Sequence, residues 1–265
     1  MPGLFIGTAG WSIPRASAAQ AAGDGTHLQR YARVFRCAEI NSSFHRPHAP
    51  ATYERWAAAT PAGFRFAVKL PKLITHELRL QRGRAPLVQF LEESAGLGPK
   101  RGPLLVQLPP SFAFDARVAG RFFALDRSLY AGPLVCEPRH ATWLGAGEAL
   151  LARYHVARVG ADPEPAPGAG APGGWPGLIY LRLHGSPRKY WSSYTGSALD
   201  AAAGTLREAS CDAWCVFDNT ASGAAFDNAL QLESLMTGRR PPDARADSGN
   251  RGDHVTDAGP GEEMT

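Results

Sequence analysis

Eight short apolar runs rich in β-branched residues recur along this chain, and the stretches between them are long enough to hold helices. The runs fall at Leu4–Thr8, Ala38–Ser42, Arg65–Leu70, Leu104–Leu108, Leu134–Pro138, Val156–Gly160, Ile179–His184 and Trp214–Asn219. The intervening patterns predict helices over Leu28–Phe35, Thr52–Ala58, Pro86–Leu97, Ala116–Leu129, Glu148–Arg153, Ala198–Glu208 and Asn228–Thr237. Strands that alternate with helices pair in parallel, because each crossover carries the chain back to the same end of the sheet. Eight such units in about 240 residues predict an α/β chain folded as a single (β/α)8 TIM-type barrel over residues 1–240. A doubly wound open sheet is the alternative.

Composition agrees with a large core: 44% of the 265 residues are hydrophobic. The net charge of +4 comes from Arg rather than Lys, which permits an anionic ligand without requiring nucleic acid. Cys37, Cys136 and Cys215 lie in or beside apolar runs, where a thiol behaves as a small buried hydrophobe. Cys211 and Cys215 lack the second chelating pair of a zinc site. The start, Met1 to Gly7, reads as a strand and not as a signal peptide, and no run is long enough to span a membrane, so a cytoplasmic location is expected. Two segments stand apart: Pro163–Gly177, dense in Pro, Gly and Ala, is expected to be a mobile loop, and residues 241–265 a disordered polar tail.

An α/β barrel places its active site where strands end and the following loops begin. Here those ends are polar. The first run leads into Gly7-Thr8-Ala9-Gly10-Trp11-Ser12, and the second carries Glu39, Asn41, Phe44 and His45. Lys69, Gln107, the Glu137-Pro138-Arg139-His140 segment, Asp162, the period-two set Tyr180, Arg182 and His184, and Asp218-Asn219-Thr220 complete the ring. Glu39, Lys69, Gln107, Glu137, Arg182 and Asn219 are expected to face the barrel axis. Burying that much charge requires pairing within the set, with a ligand, or both. Trp11, Phe44, Trp143, Tyr190, Trp191 and Tyr194 follow the strand ends and either stack on a ligand ring or cap the core below the loops.

These strand-end motifs resemble the YecE-like family, known as domain of unknown function family 72. The resemblance rests on the Gly7–Ser12 and Glu39–Arg46 segments, Lys69 with Thr75-His76, and Gln107–Phe112. It continues through Glu137–His140 with Trp143, Arg182-Leu183-His184-Gly185, and Asp218-Asn219-Thr220 with Gly223. It implies a TIM-type barrel and brings no established reaction. The chain departs from the family pattern at His45 (usually Tyr), Pro138 (usually Phe) and Asp218 (usually Asn), and it is shortened after Trp11.

The residue types favour an enzyme, a hydrolase or phosphodiesterase acting on an anionic phosphate- or sugar-containing substrate. Glu39, Glu137, His140 and His184 are the candidate acid/base groups. Trp11, Asn41, Lys69, Arg139, Arg182 and Asn219 are candidates for holding substrate, since guanidinium groups match phosphate and carboxylate oxygens. Two carboxylates facing across the axis would also suit glycoside chemistry. No cofactor is evident: Gly7-Thr8-Ala9-Gly10 lacks the third glycine of a dinucleotide fingerprint. A divalent metal would draw on His140, His184, Glu137, Glu39 and Asp162, although no short ligand motif points to one. The alternative is a non-catalytic nucleotide- or nucleic-acid-binding module, and the oligomeric state stays open.

Overall fold

A computed structural model of the protein describes residues 2–238, and the predicted tail at 241–265 lies outside them. The strands are β1 (Leu4–Ala9), β2 (Cys37–Ile40), β3 (Arg65–Lys69), β4 (Arg101–Gln107) and β5 (Leu134–Glu137). They continue with β6 (Val156–Arg158), β7 (Gly160–Asp162), β8 (Gly173–Gly174), β9 (Leu178–Leu183) and β10 (Asp212–Phe217). Pairing runs β9, β10, β1, β2, β3, β4, β5, β6, all parallel. The ring closes because one stave changes partner midway. β6 pairs with β5, and after Val159 the same segment continues as β7 on β9, with Ala161 opposite Arg182. Closure excludes the open-sheet alternative. Gly160 sits at the changeover, where a Cβ would meet the Gly170 carbonyl oxygen at 2.6 Å.

The helices are α1 (His27–Val34), α2 (Ser42–His45), α3 (Pro50–Ala58), α4 (Arg84–Ser94), α5 (Ala116–Leu129), α6 (Ala146–Arg153), α7 (Gly196–Arg207) and α8 (Ala224–Thr237). Side-chain caps set several of their starts. Thr26 and Gln29 form a reciprocal capping box on α1, Asp115 accepts from the Arg117 and Val118 amides at 2.8 and 2.9 Å, and Thr195 caps α7. Strand alternation divides the core in two. Ala38, Phe66, Val68, Leu104, Val106, Cys215 and Phe217 face the helices, while Cys37, Ala67, Leu105, Val135, Tyr180, Trp214 and Val216 fill the barrel. Cys37, Cys136 and Cys215 are free and buried, as expected.

Three local readings change. The second run does not continue to Ser42: Asn41 turns to φ −98°, ψ −17°, and α2 begins there. Ser43 Oγ donates toward the Lys69 carbonyl at 2.7 Å and lies 3.2 Å from that of Ile40, which draws the chain off the strand. The helix expected over 86–97 ends at Ser94 and tightens into 3-10 turns that break at Gly98, where φ is 53° and ψ −133°. The Pro163–Gly177 loop is tied down. It contributes β8, antiparallel to β6, and Glu148 accepts from both Arg158 and the Gly174 amide. The shortened stretch after Trp11 holds a 3-10 turn, Arg15–Ser17, anchored by Ser17 donating to Asp227 at 2.7 Å.

Asp126 on α5 is fully buried, and neither of its carboxylate oxygens has a hydrogen-bond partner. Burial pushes its carboxyl from 3.8 to about 7, opposed only by Arg127. The folded protein therefore keeps a proton that the unfolded chain releases. Its contribution to stability falls as pH rises from about 4 to about 7 and is level above that. Asp126→Asn, neutral at every pH, is expected to gain on the wild type between pH 4 and pH 8, by up to about 4 kcal/mol, read as the difference in urea-unfolding free energy.

Candidate functional site

The upper layer of the barrel interior is built around one guanidinium. Arg182 on β9 is fully buried. Its Nε and Nη2 donate to the two oxygens of Glu39 at 3.0 and 2.7 Å, and its Nη1 to Glu137 Oε2 at 2.5 Å. Nη2 also donates to Asp218 Oδ2 at 3.1 Å, just past β10. Tyr180, two residues earlier on β9, donates its hydroxyl to Glu39 Oε2 at 2.8 Å. His184, two residues later, lies between carboxylates, with Nδ1 2.9 Å from Asp218 and Nε2 3.1 Å from Glu137. Ionised carboxylates only accept, so both contacts are hydrogen bonds only when the ring carries two protons.

Electrostatics hold Arg182, Glu137 and Asp218 charged despite burial. Burial works against the Arg182 cation, but Glu39, then Glu137 and Asp218, raise its pKa well above the usual value. Burial likewise opposes the Glu137 anion, and Arg182, then His184 and Arg139, hold its carboxyl well below the usual range. Asp218 is lowered against burial by Arg182 and His184, with Lys69 adding to them.

Above this sealed layer the mouth is lined with polar groups that lack partners. Arg139 Nε donates to Glu137 Oε1 at 3.0 Å, whereas its Nη2, 2.9 Å from the same oxygen, makes no hydrogen bond. Asn41 Oδ1 is buried and unpartnered. Among the described residues the Gln107 side chain makes no hydrogen bond, although the residue is only 7% exposed. The Lys69 amine packs on the face of Phe44, 4.1 Å from the ring centroid, and no carboxylate lies within ion-pair distance among the described residues. Burial, then Arg182, lowers its pKa to about 8. His76, held by Thr75 through Nδ1 at 2.8 Å, meets the same Phe44 ring edge-on. Burial lowers the His76 pKa, helped by Lys69 and Arg139, and burial lowers that of Lys189, helped by Arg139. A cavity of about 350 Å³ opens over the ends of β10, β1 and β2, lined by Trp11, Ser12, Glu39, Asn41, Asp218 and Thr220; Lys69, His76, Arg139 and Lys189 are not among its lining residues.

The structure thus brings together Glu39, Glu137, Arg139, Arg182 and His184 and sets Asn41, Lys69 and Trp11 around the mouth. Two expected residues fall elsewhere. Asn219 does not face the axis: it lies in phase with Cys215 and Phe217, which pack on the helices, and its Nδ2 donates to Ser192 and Asn228 at 2.9 Å. The inward residue is Asp218, in phase with Trp214 and Val216. His140 also turns outward, where its Nδ1 accepts from the Thr142 amide at 3.3 Å and starts a 3-10 turn. Of the suggested metal ligands, Glu39, Glu137 and His184 meet around Arg182, whereas Asp162 accepts from Tyr194 at 2.7 Å; no group of three His, Cys, Asp or Glu side chains among the described residues is arranged for an ion. Trp143 and Tyr194 are buried core caps, while Tyr190 and Trp191 are exposed at 41% and 47%.

The sequence profile of the family described as Protein of unknown function DUF72 matches residues 5–249. The chain belongs to the DUF72 family. UPF0759 protein YecE of Escherichia coli is similar at 32% identity over 109 residues, 41% of this chain and 39% of that protein's length. A crystal structure of a DUF72 family protein from Enterococcus faecalis superposes with a TM-score of 0.75 at 17% identity, over 93% of this chain and all of that one. Another, from Thermotoga maritima, gives 0.73 at 23% identity, over 88% of this chain and 99% of that one. These likenesses show the DUF72 barrel. No helix among the described residues is long and apolar enough to cross a membrane.

The charged layer gives an ordered prediction for stability. Arg182→Met leaves Glu39 buried without its counter-charge and strips Glu137 and Asp218 of their largest one, a loss of about 3–5 kcal/mol. Tyr180→Phe removes one hydrogen bond to a carboxylate, about 1.5–3 kcal/mol. Urea denaturation at neutral pH is expected to rank Arg182→Met as the more damaging of the two.

Proposed function

We propose that the chain is an enzyme acting on a small anionic substrate, phosphate- or sugar-containing, by acid/base chemistry at the mouth of the barrel. One observation carries this reading. Arg139 and Lys189 repel each other, and Lys69 and Arg139 both bear on His76, over a layer whose carboxylates are already committed to Arg182 and His184; an arriving anion would relieve that repulsion. Asn41 Oδ1 and Arg139 Nη2 are buried atoms without a hydrogen-bond partner, and a hydroxyl or oxyanion of the ligand would supply one. Exposed Tyr190 and Trp191, flanked by Arg188 and Lys189, offer ring faces to its sugar or base portion.

Glu39 and Glu137 are covered by the charges they hold, so in this reading they orient rather than transfer protons. Proton transfer falls to the groups that reach the mouth: Asp218, whose side chain keeps 13% of its surface exposed and is backed by His184, and the Lys69 amine. The exposed rings also favour the non-catalytic reading, a module that stacks nucleobases.

Isothermal titration with inorganic phosphate and with sugar phosphates tests the reading. Arg139→Ala and Lys189→Ala are each expected to weaken binding about tenfold, or about 1.4 kcal/mol, and Asp218→Asn to spare binding while abolishing turnover. Oligonucleotide binding that falls steeply with salt, with no turnover of any phosphate-bearing compound, would favour the stacking module instead.

A further inference from the structure

The chain has 28 Lys and Arg residues, and only Lys69, Lys72, Lys100 and Lys189 are lysines. Lys100 is spent on Thr60 and the Ala57 carbonyl, and Lys72 pairs with Glu77 at the surface. Lys69 is different. It ends β3 inside the mouth, packed on Phe44, with no acceptor on its amine among the described residues. Arginine would serve a purely electrostatic role there and would match an anion better, but it cannot lose its proton and act as a nucleophile. We propose that Lys69 is an imine-forming amine and that the substrate class of this mouth is an anionic aldehyde or ketone.

The neighbours of Lys69 suit that chemistry. Phe44 covers one side of the amine, and the unpartnered Gln107 amide lies one strand away, able to bond the carbonyl oxygen. His76 abuts the same ring with its Nε2 unengaged among the described residues. Arg139 and Lys189 would hold the anionic end. The unprotonated Nζ adds to the carbonyl carbon, and the carbonyl π pair moves to oxygen. A C–N bond forms, and oxygen takes up a proton. His76 then relays the second proton lost by nitrogen to that oxygen, which leaves as water as the C=N bond forms. The two protons that nitrogen loses are the two that water carries away, and no oxidant or reductant is needed.

The groups facing the amine set its protonation. Arg182 on β9 favours the neutral form, and Glu39 on β2, Glu137 on β5 and Asp218 after β10 oppose it. With burial the pKa falls to about 8, which leaves roughly a tenth of the amine neutral at pH 7.

This deepens the anionic-substrate reading and rests on it for the charge of the substrate. The test incubates the full chain with glyceraldehyde 3-phosphate or uncharged glyceraldehyde, reduces with borohydride, and maps the adduct by mass spectrometry. The expected result is an adduct on Lys69 at least tenfold above the other three lysines, formed faster with the phosphate, with a rate that rises through a midpoint near pH 8. Lys69→Arg, which keeps the cation over Phe44, is expected to trap nothing at that position and to keep the wild-type melting temperature. Wild-type mapping decides the matter should that variant not fold. Selective labelling of Lys69 at equal rates by both aldehydes supports the imine and overturns the anionic reading. Label spread evenly over the four lysines, or concentrated on Lys189, overturns the imine proposal whatever phosphate binding shows.

Discussion

Arg182 carries a positive charge with no access to water, and the upper half of the barrel is arranged around that constraint. An isolated guanidinium in such a place would cost far more than a domain's net stability. Three carboxylates from three different staves meet it, and Tyr180 and His184 take up remaining capacity on those carboxylates. The layer therefore ties β2, β5, β9 and the end of β10 together through side chains as well as through the ladder. Below it, Tyr180 stacks near Trp214, which stacks on Phe5, so the apolar floor begins one residue layer down. A barrel interior filled this way behaves as a plug, and whatever a ligand does is done on top of it.

That arrangement separates two jobs that look alike in a sequence. A glutamate at a strand end reads as a catalytic candidate whether it faces a ligand or a buried arginine. Glu39 and Glu137 face the arginine. Their place is below the mouth: they fix the position of Arg182 and balance its charge, and Glu137 also holds His184. The groups that remain free are the cations and amides one step outward. Around the opening the Lys69 and Lys189 amines and Arg139 stand near the Asp218 carboxylate and the unpartnered Asn41 Oδ1, so donors and acceptors are both at hand.

Strand alternation made much of this legible. Eight runs at the right spacing gave the staves, and period two placed Glu39, Glu137, Arg139 and Arg182 on the inner face. The same rule, carried one strand further, separates Asp218 from Asn219: Trp214 and Val216 share the parity of Asp218. The departure from the family pattern at that position was a second signal pointing to it. Other features were not legible because they depend on contacts remote in sequence. Ser43 leaves the second stave early through a bond to the Lys69 carbonyl. The two-residue β8 exists because Glu148 and Arg158 grip a loop whose own composition carries no period. His140 turns outward because it begins a 3-10 turn, a local choice that a strand-end motif conceals.

Backbone geometry shows where the structure bears strain, and one strained residue is at the mouth. Tyr190 adopts φ 65°, a region that residues with a side chain occupy rarely and at a cost on the order of 1 kcal/mol or more. Its amide bonds back to the His184 carbonyl, and its ring stands edge-on to the His184 ring at 5.6 Å. The loop that carries Lys189 and Trp191 is thus pinned to the same histidine that links Glu137 to Asp218. A change in the charge of the buried layer would be felt first at His184, then at Tyr190 and the exposed rings beside it. The plug and the mouth therefore meet at Tyr190 on His184 and at Arg139 on Glu137, and Asp218 belongs to both, so the layer that closes the barrel also fixes the groups around its opening.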